Sequence, residues 1–114
     1  MDLSVYLHQA VRGFSRYNKY TLGSDLRTIS LEIVRLIIRA NNTAQKEAVL
    51  RELVQQCEML KAMLVVAKEV KAFQHFKSFQ HASALAVMLC RQSEGWLKSS
   101  LKSQNHPSAA RPRR

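Results

Sequence analysis

Apolar residues recur at helical spacing through three long stretches of this chain, and that periodicity leaves little room for anything but helices. Between Leu22 and Ala40 they fall at Leu22, Leu26, Ile29, Ile33, Leu36, Ile37 and Ala40, the steps of three and four that mark one helical face. Leu31, Val34 and Ile38 widen this face, while Thr28, Glu32, Arg35 and Arg39 line the other side. A helix with so broad an apolar surface is expected to be covered from more than one direction. Thr21 or Ser24 is placed to cap its start, Asp25 suits the positive end of its dipole, and Asn41 and Asn42 are natural stops because asparagine tolerates the left-handed conformation.

Thr43 offers a fresh N-cap for the longest pattern. Leu50, Leu53, Cys57, Leu60, Leu64 and Ala67 form one stripe, with Met59, Met63, Val66, Val70 and Phe73 as a second beside it. The spacing predicts a helix of about 30 residues, roughly 45 Å long, with Glu47 and Arg51 as an exposed ion pair. A last helix is expected from Ser78 to Lys102. Phe79, Ala82, Leu85, Leu89 and Trp96 form its apolar side, Val87, Met88 and Leu97 flank it, and Arg91, Glu94, Lys98 and Lys102 follow on a charged side. Gly95, inside this pattern, costs about 1 kcal/mol against alanine, which predicts a neighbouring backbone passing close, with Trp96 filling the end of the core. Leu3, Tyr6, Leu7, Ala10 and Val11 make a short leading helix of about eleven residues. Gly13 and a polar-aromatic link through Tyr20 close it.

With 3 glycines and 2 prolines in 114 residues, the chain lacks the tight turns of a sandwich or barrel. The expected fold is all-α: an antiparallel four-helix bundle with a short first helix over residues 1–102, then a disordered basic tail over 103–114 that holds both prolines and three arginines. No stretch reaches the roughly 18 apolar residues of a membrane span, so a soluble, cytoplasmic protein is expected. Cys57 and Cys90 have no paired spacing and read as two buried thiols.

Charge is the strongest functional signal. Lys and Arg number 18 against 8 Asp and Glu, a net +10. Without the tail arginines Arg111, Arg113 and Arg114, fifteen cations still face eight acids, so a net +7 belongs to the bundle. Such an excess points to a polyanion. Candidate phosphate contacts, chosen by charge alone, are Arg27, Arg35 and Arg39 on the second helix, Lys61, Lys68 and Lys71 on the third, and Arg91, Lys98 and Lys102 on the fourth. Stacking of single-stranded bases on Phe14, Tyr17 and Tyr20 is conceivable, but these rings are expected to pack at the entry to the second helix. Chemistry is not signalled. No acids pair in an apolar setting, the four histidines lack metal-ligand spacing, and Gly13, Gly23 and Gly95 are isolated, so no catalytic residue, metal or cofactor is expected.

Two segments carry a resemblance: residues 14–26, FSRYNKYTLGSDL, and residues 88–99, MLCRQSEGWLKS. With the long third helix, they resemble the four-helix-bundle family of accessory variability determinant (Avd) proteins of diversity-generating retroelements. Small bundle proteins encoded in intervening sequences of 23S ribosomal RNA genes belong to the same superfamily. The resemblance covers about residues 3 to 102. Ser15 stands where family members often have proline. Ile38, Arg39, Ala40, Asn41 and Asn42 replace the Asn-Ile-Ala-Glu-Gly run of the ribosomal branch, which favours the retroelement branch. The resemblance implies a non-catalytic accessory that forms a ring-shaped homo-oligomer, a pentamer. It also implies partnership with a reverse transcriptase and its template RNA or a DNA/RNA hybrid, in support of mutagenic complementary-DNA synthesis and transfer into a target gene. The alternative is a structural bundle of the ribosomal type acting without a polymerase.

Overall fold

The structure, a computed structural model, describes residues 2–105. The helices are α1 (Asp2–Arg12), a single turn α2 (Arg16–Asn18), α3 (Ser24–Asn41), α4 (Glu47–Glu69) and α5 (Phe76–Asn105), with a π turn (Lys19–Gly23) between α2 and α3. No strand occurs among the described residues. Three long helices and the short α1 make the expected bundle, drawn out to 55 × 20 × 18 Å. The expected tail from residue 103 falls largely outside the described residues, although α5 itself carries Ser103–Asn105.

Where helices begin and end, the structure differs from the sequence pattern. The expected start at Thr21 or Ser24 does not exist, because Asn18, Lys19, Gly23 and Ser24 all have right-handed helical backbone and the chain runs from Arg16 to Asn41 as one rod. The cap lies earlier: Ser15 Oγ accepts a bond from the Asn18 N–H at 3.4 Å. Gly23 is where this rod meets α1. A Cβ there would sit 2.6 Å from Val11 Cγ1 and 3.2 Å from the Asn18 carbonyl, so only glycine lets the helices close up.

At the far end of α3, Asn42 stops the helix at φ −107° and ψ 10°, without the left-handed turn expected of it. The free carbonyls are met instead by Lys46, whose Nζ donates to Ala40 O at 2.6 Å and Thr43 O at 2.9 Å. α4 therefore starts at Glu47 rather than Thr43, and its 23 residues fall short of the expected 30. It ends because Lys71 adopts φ 61°. The Lys71 N–H then bonds Lys68 O at 3.0 Å, and the Ala72 N–H reaches back to Ala67 O at 2.8 Å. This left-handed closure, normally built on glycine, satisfies the last carbonyls of α4 and leaves Val70 and Phe73 outside the helix.

The first stripe of α4 is wholly buried, from Leu50 to Ala67, against Leu26, Ile29, Ile33, Leu36 and Ala40 of α3. Fully burying one such leucine contributes about 1.5–3 kcal/mol. The expected second stripe is half open: Met59, Val66 and Val70 are exposed. On α5 the buried line is Ala82, Ala86, Cys90 and Ser93, small residues that let α4 lie close, while Phe79, Leu85, Leu89 and Trp96 pack at its edges. Gly95 is a correction. Outside its own stretch of helix, no atom of the described residues lies within 4 Å of where its Cβ would be, so no other described helix approaches it.

Helix α1 lies against α3 and α5, fixed by Ser4 Oγ and Ser30 Oγ at 3.3 Å and by the edge-on packing of Tyr6 and His81 at 4.5 Å. Its eleven residues cover about 16 Å. Four helices therefore pack side by side only at the end nearest the α1–α3 link. Beyond it α3, α4 and α5 continue alone.

Candidate nucleic-acid interface

The nine cations singled out by charge do not gather on one surface. Arg91, Lys98 and Lys102 come closest to a stripe. Steps of seven and four place them along the outer edge of α5, all exposed, with bare Gly95 between them. Arg27, Arg35 and Arg39 spread around α3, and Arg35 is engaged by Glu32 at 3.3 Å. On α4, Lys61 pairs with Glu58 at 3.2 Å, and this contact raises its pKa above the ordinary lysine value. Lys68 pairs with Glu69 at 3.2 Å and also lies 5.2 Å over the Phe79 ring. Lys71 is exposed on the turn after α4.

Charge counting alone missed a second group. Arg12, Arg16 and Lys19 precede α3, and Lys77 opens α5. The fold brings the segments that carry them together: Phe14 and Phe73 meet edge-on at 5.1 Å, and Gln74 packs over Gly13. Arg12, Arg16, Lys19, Lys71 and Lys77 have no carboxylate partner among the described residues. Ring placement also departs from expectation. Phe14 is buried, but Tyr17 and Tyr20, expected to pack, are 77% and 69% exposed. The short helical entry from Arg16 to Gly23 has too little surface to cover two large rings while Phe14 fills the core beneath it. The clue in the sequence was the alternation Arg16-Tyr17, Lys19-Tyr20, a cation beside each ring.

The interior holds no comparable cluster. Cys57 and Cys90 are buried free thiols, and Cys57 Sγ lies 3.8 Å from Ser93 Oγ. Burial pushes both thiols up, Cys90 to about 12, so neither is a thiolate at neutral pH. His8 Nδ1 donates to Ser4 O at 2.8 Å. Among the described residues, no three of His, Cys, Asp and Glu converge as a metal site would require, and no helix is long and apolar enough to cross a membrane.

This helical bundle, whose cations on an outer edge and at one end have no carboxylate partner among the described residues, matches a family model described as bAvd-like over residues 1–100. The chain belongs to the bAvd-like family. Searches of curated proteins and of solved structures returned no match. In this bAvd-like chain both segments that carry the resemblance, 14–26 and 88–99, lie inside the matched span. The first forms the π turn and its flanks, and the second the part of α5 that bears Arg91 and Lys98.

Proposed function

We propose that this bAvd-like protein is a non-catalytic accessory of a retroelement reverse transcriptase. In this reading it holds template RNA, or a DNA/RNA hybrid, by its phosphates and supports mutagenic complementary-DNA synthesis and transfer. The family match over the whole bundle carries the reading. The charge distribution supports it: cations without carboxylate partners among the described residues lie along the α5 edge and at one bundle end, where a polyphosphate would relieve their mutual repulsion by releasing its counterions. Phosphate contacts of this kind position a partner without reading its bases. A ring of five copies is part of the same proposal, as are a cytoplasmic location and the exposed apolar residues Met59, Val66 and Met88 as material for contacts between copies.

Co-expression with a retroelement reverse transcriptase and its template RNA tests the role directly: protein, polymerase and RNA are expected to purify together. RNA affinity is expected to fall steeply between about 50 and 200 mM salt. Replacing Arg91, Lys98 and Lys102 by Gln is expected to weaken unrelated RNAs alike and to reduce the salt slope by about 1 per charge removed. Failure to co-purify, together with a flat salt response, rules the role out.

A further inference from the structure

Three unusual features meet at one end of the bundle. The first is the π turn, a helical form that is rare and concentrated at functional positions. The second is Lys71 at φ 61°, a side-chain-bearing residue where glycine is the unstrained choice. The third is the exposure of large rings: Phe76, at the start of α5, is 60% exposed, in addition to Tyr17 and Tyr20. Segments 12–23 and 70–77, which make up this end, contain five cations and no acid.

We infer that this end receives an unpaired nucleic-acid strand, with bases stacking on Tyr17, Tyr20 and Phe76 and phosphates lying against Arg16, Lys19 and Lys71. The inference rests on the nucleic-acid reading above and specifies which form of the polymer is held, and where. A single strand presents a flat ring and a negative charge at every step. The protein answers with the same alternation: Arg16 beside Tyr17, Lys19 beside Tyr20, Lys77 beside Phe76. A duplex cannot use these rings, because its bases already stack on one another. Another protein's apolar surface would have to desolvate five cations that have no carboxylate partner among the described residues, at a cost stacking would not return.

The strand also has a way onward. Phe76, Ala84, Met88 and Arg91 line an open groove of about 600 Å³ along α5, which leads from Phe76 at the ring-bearing end to Arg91, the first cation of the α5 edge. Lys71 contributes in a way its backbone makes specific. The left-handed turn carries its side chain outward at the mouth of this end, where glycine would close the helix as well but bring no charge.

Fluorescence anisotropy of the full chain with labelled oligouridylate, oligothymidylate and a duplex of equal length, each about a dozen nucleotides, tests the inference. Both single strands are expected to bind about tenfold or more tighter than the duplex. The double variant Tyr17→Leu/Tyr20→Leu is expected to lose that margin and keep duplex affinity, while Tyr17→Phe/Tyr20→Phe binds as the parent does. Both tyrosines are exposed, so melting temperature is expected to stay unchanged in each variant. Equal binding of single strands by the parent and the leucine variant, with duplex binding intact, overturns the inference and leaves the accessory role standing. Binding of neither polymer by the parent overturns the inference together with the phosphate-contact reading on which it rests. A leucine variant that holds single strands normally but no longer purifies with the reverse transcriptase assigns this end to protein docking and overturns the inference as well.

Discussion

The two ends of the bundle use lysine in opposite ways. At the α3–α4 turn, Lys46 folds back on the chain and donates to the Ala40 carbonyl of α3 and the Thr43 carbonyl of the turn, so its charge serves the fold. At the other end, Lys71 closes α4 through its backbone alone, and its side chain stays exposed on a segment that packs against the one carrying Arg12, Arg16 and Lys19. A cation whose ammonium is committed to carbonyls has little left for a phosphate, whereas one positioned at the expense of backbone strain keeps all its donors. Net charge therefore says little about an interface until it is known which cations are already occupied.

Substitutions at each end test this contrast. Gly23→Ala is expected to have the largest effect, a loss of about 1–3 kcal/mol, because the added methyl meets Val11 Cγ1 where α1 joins the rod. Thermal or urea melting measures it, and an unchanged midpoint would show that α1 packs otherwise. Lys46→Met is expected to cost about 1–2 kcal/mol by orphaning the Ala40 and Thr43 carbonyls, with RNA affinity nearly unchanged. Lys71→Gly inverts that result: stability rises by about 1 kcal/mol as the strained turn relaxes, and RNA affinity falls. A variant that loses both, or neither, breaks the contrast. Gly95→Ala, on the open face of α5, is expected to add about 0.5–1 kcal/mol of helix stability, measured by the same melts. If it also weakens RNA binding, a strand passes close over that bare stretch of helix.

Much of the fold was legible because large apolar residues set the register of α3 and α4. Every member of the Leu50 to Ala67 stripe is buried, as is each of Leu26, Ile29, Ile33, Leu36 and Ala40. The register of α5 was harder to read. Its buried line is made of Ala82, Ala86, Cys90 and Ser93, and a pattern search weighted by size follows Leu85 and Leu89 instead, which pack at the edge. Helix ends were missed for a different reason. The Lys46 cap and the Lys71 closure depend on where carbonyls stand in space, and neither uses the residue type that usually signals such a boundary. The candidate site was legible only as a charge excess. Which cations gather, and which are held by Glu32, Glu58 or Glu69, depends on helix register and on two chain segments, 12–23 and 70–77, that meet only once the chain has folded.

The π turn acts as a phase shift set into an otherwise straight shaft. An α-helix advances about 100° per residue, so the extra residue this wide turn accommodates rotates everything upstream by about that angle relative to α3. Deleting one residue between Lys19 and Gly23 would leave the helical length almost intact while swinging Tyr17, Arg16 and the whole of α1 around the axis. The orientation of one extremity of the molecule thus hangs on a single inserted peptide unit, and lineages that gained or lost it would aim their rings and charges in different directions from the same scaffold.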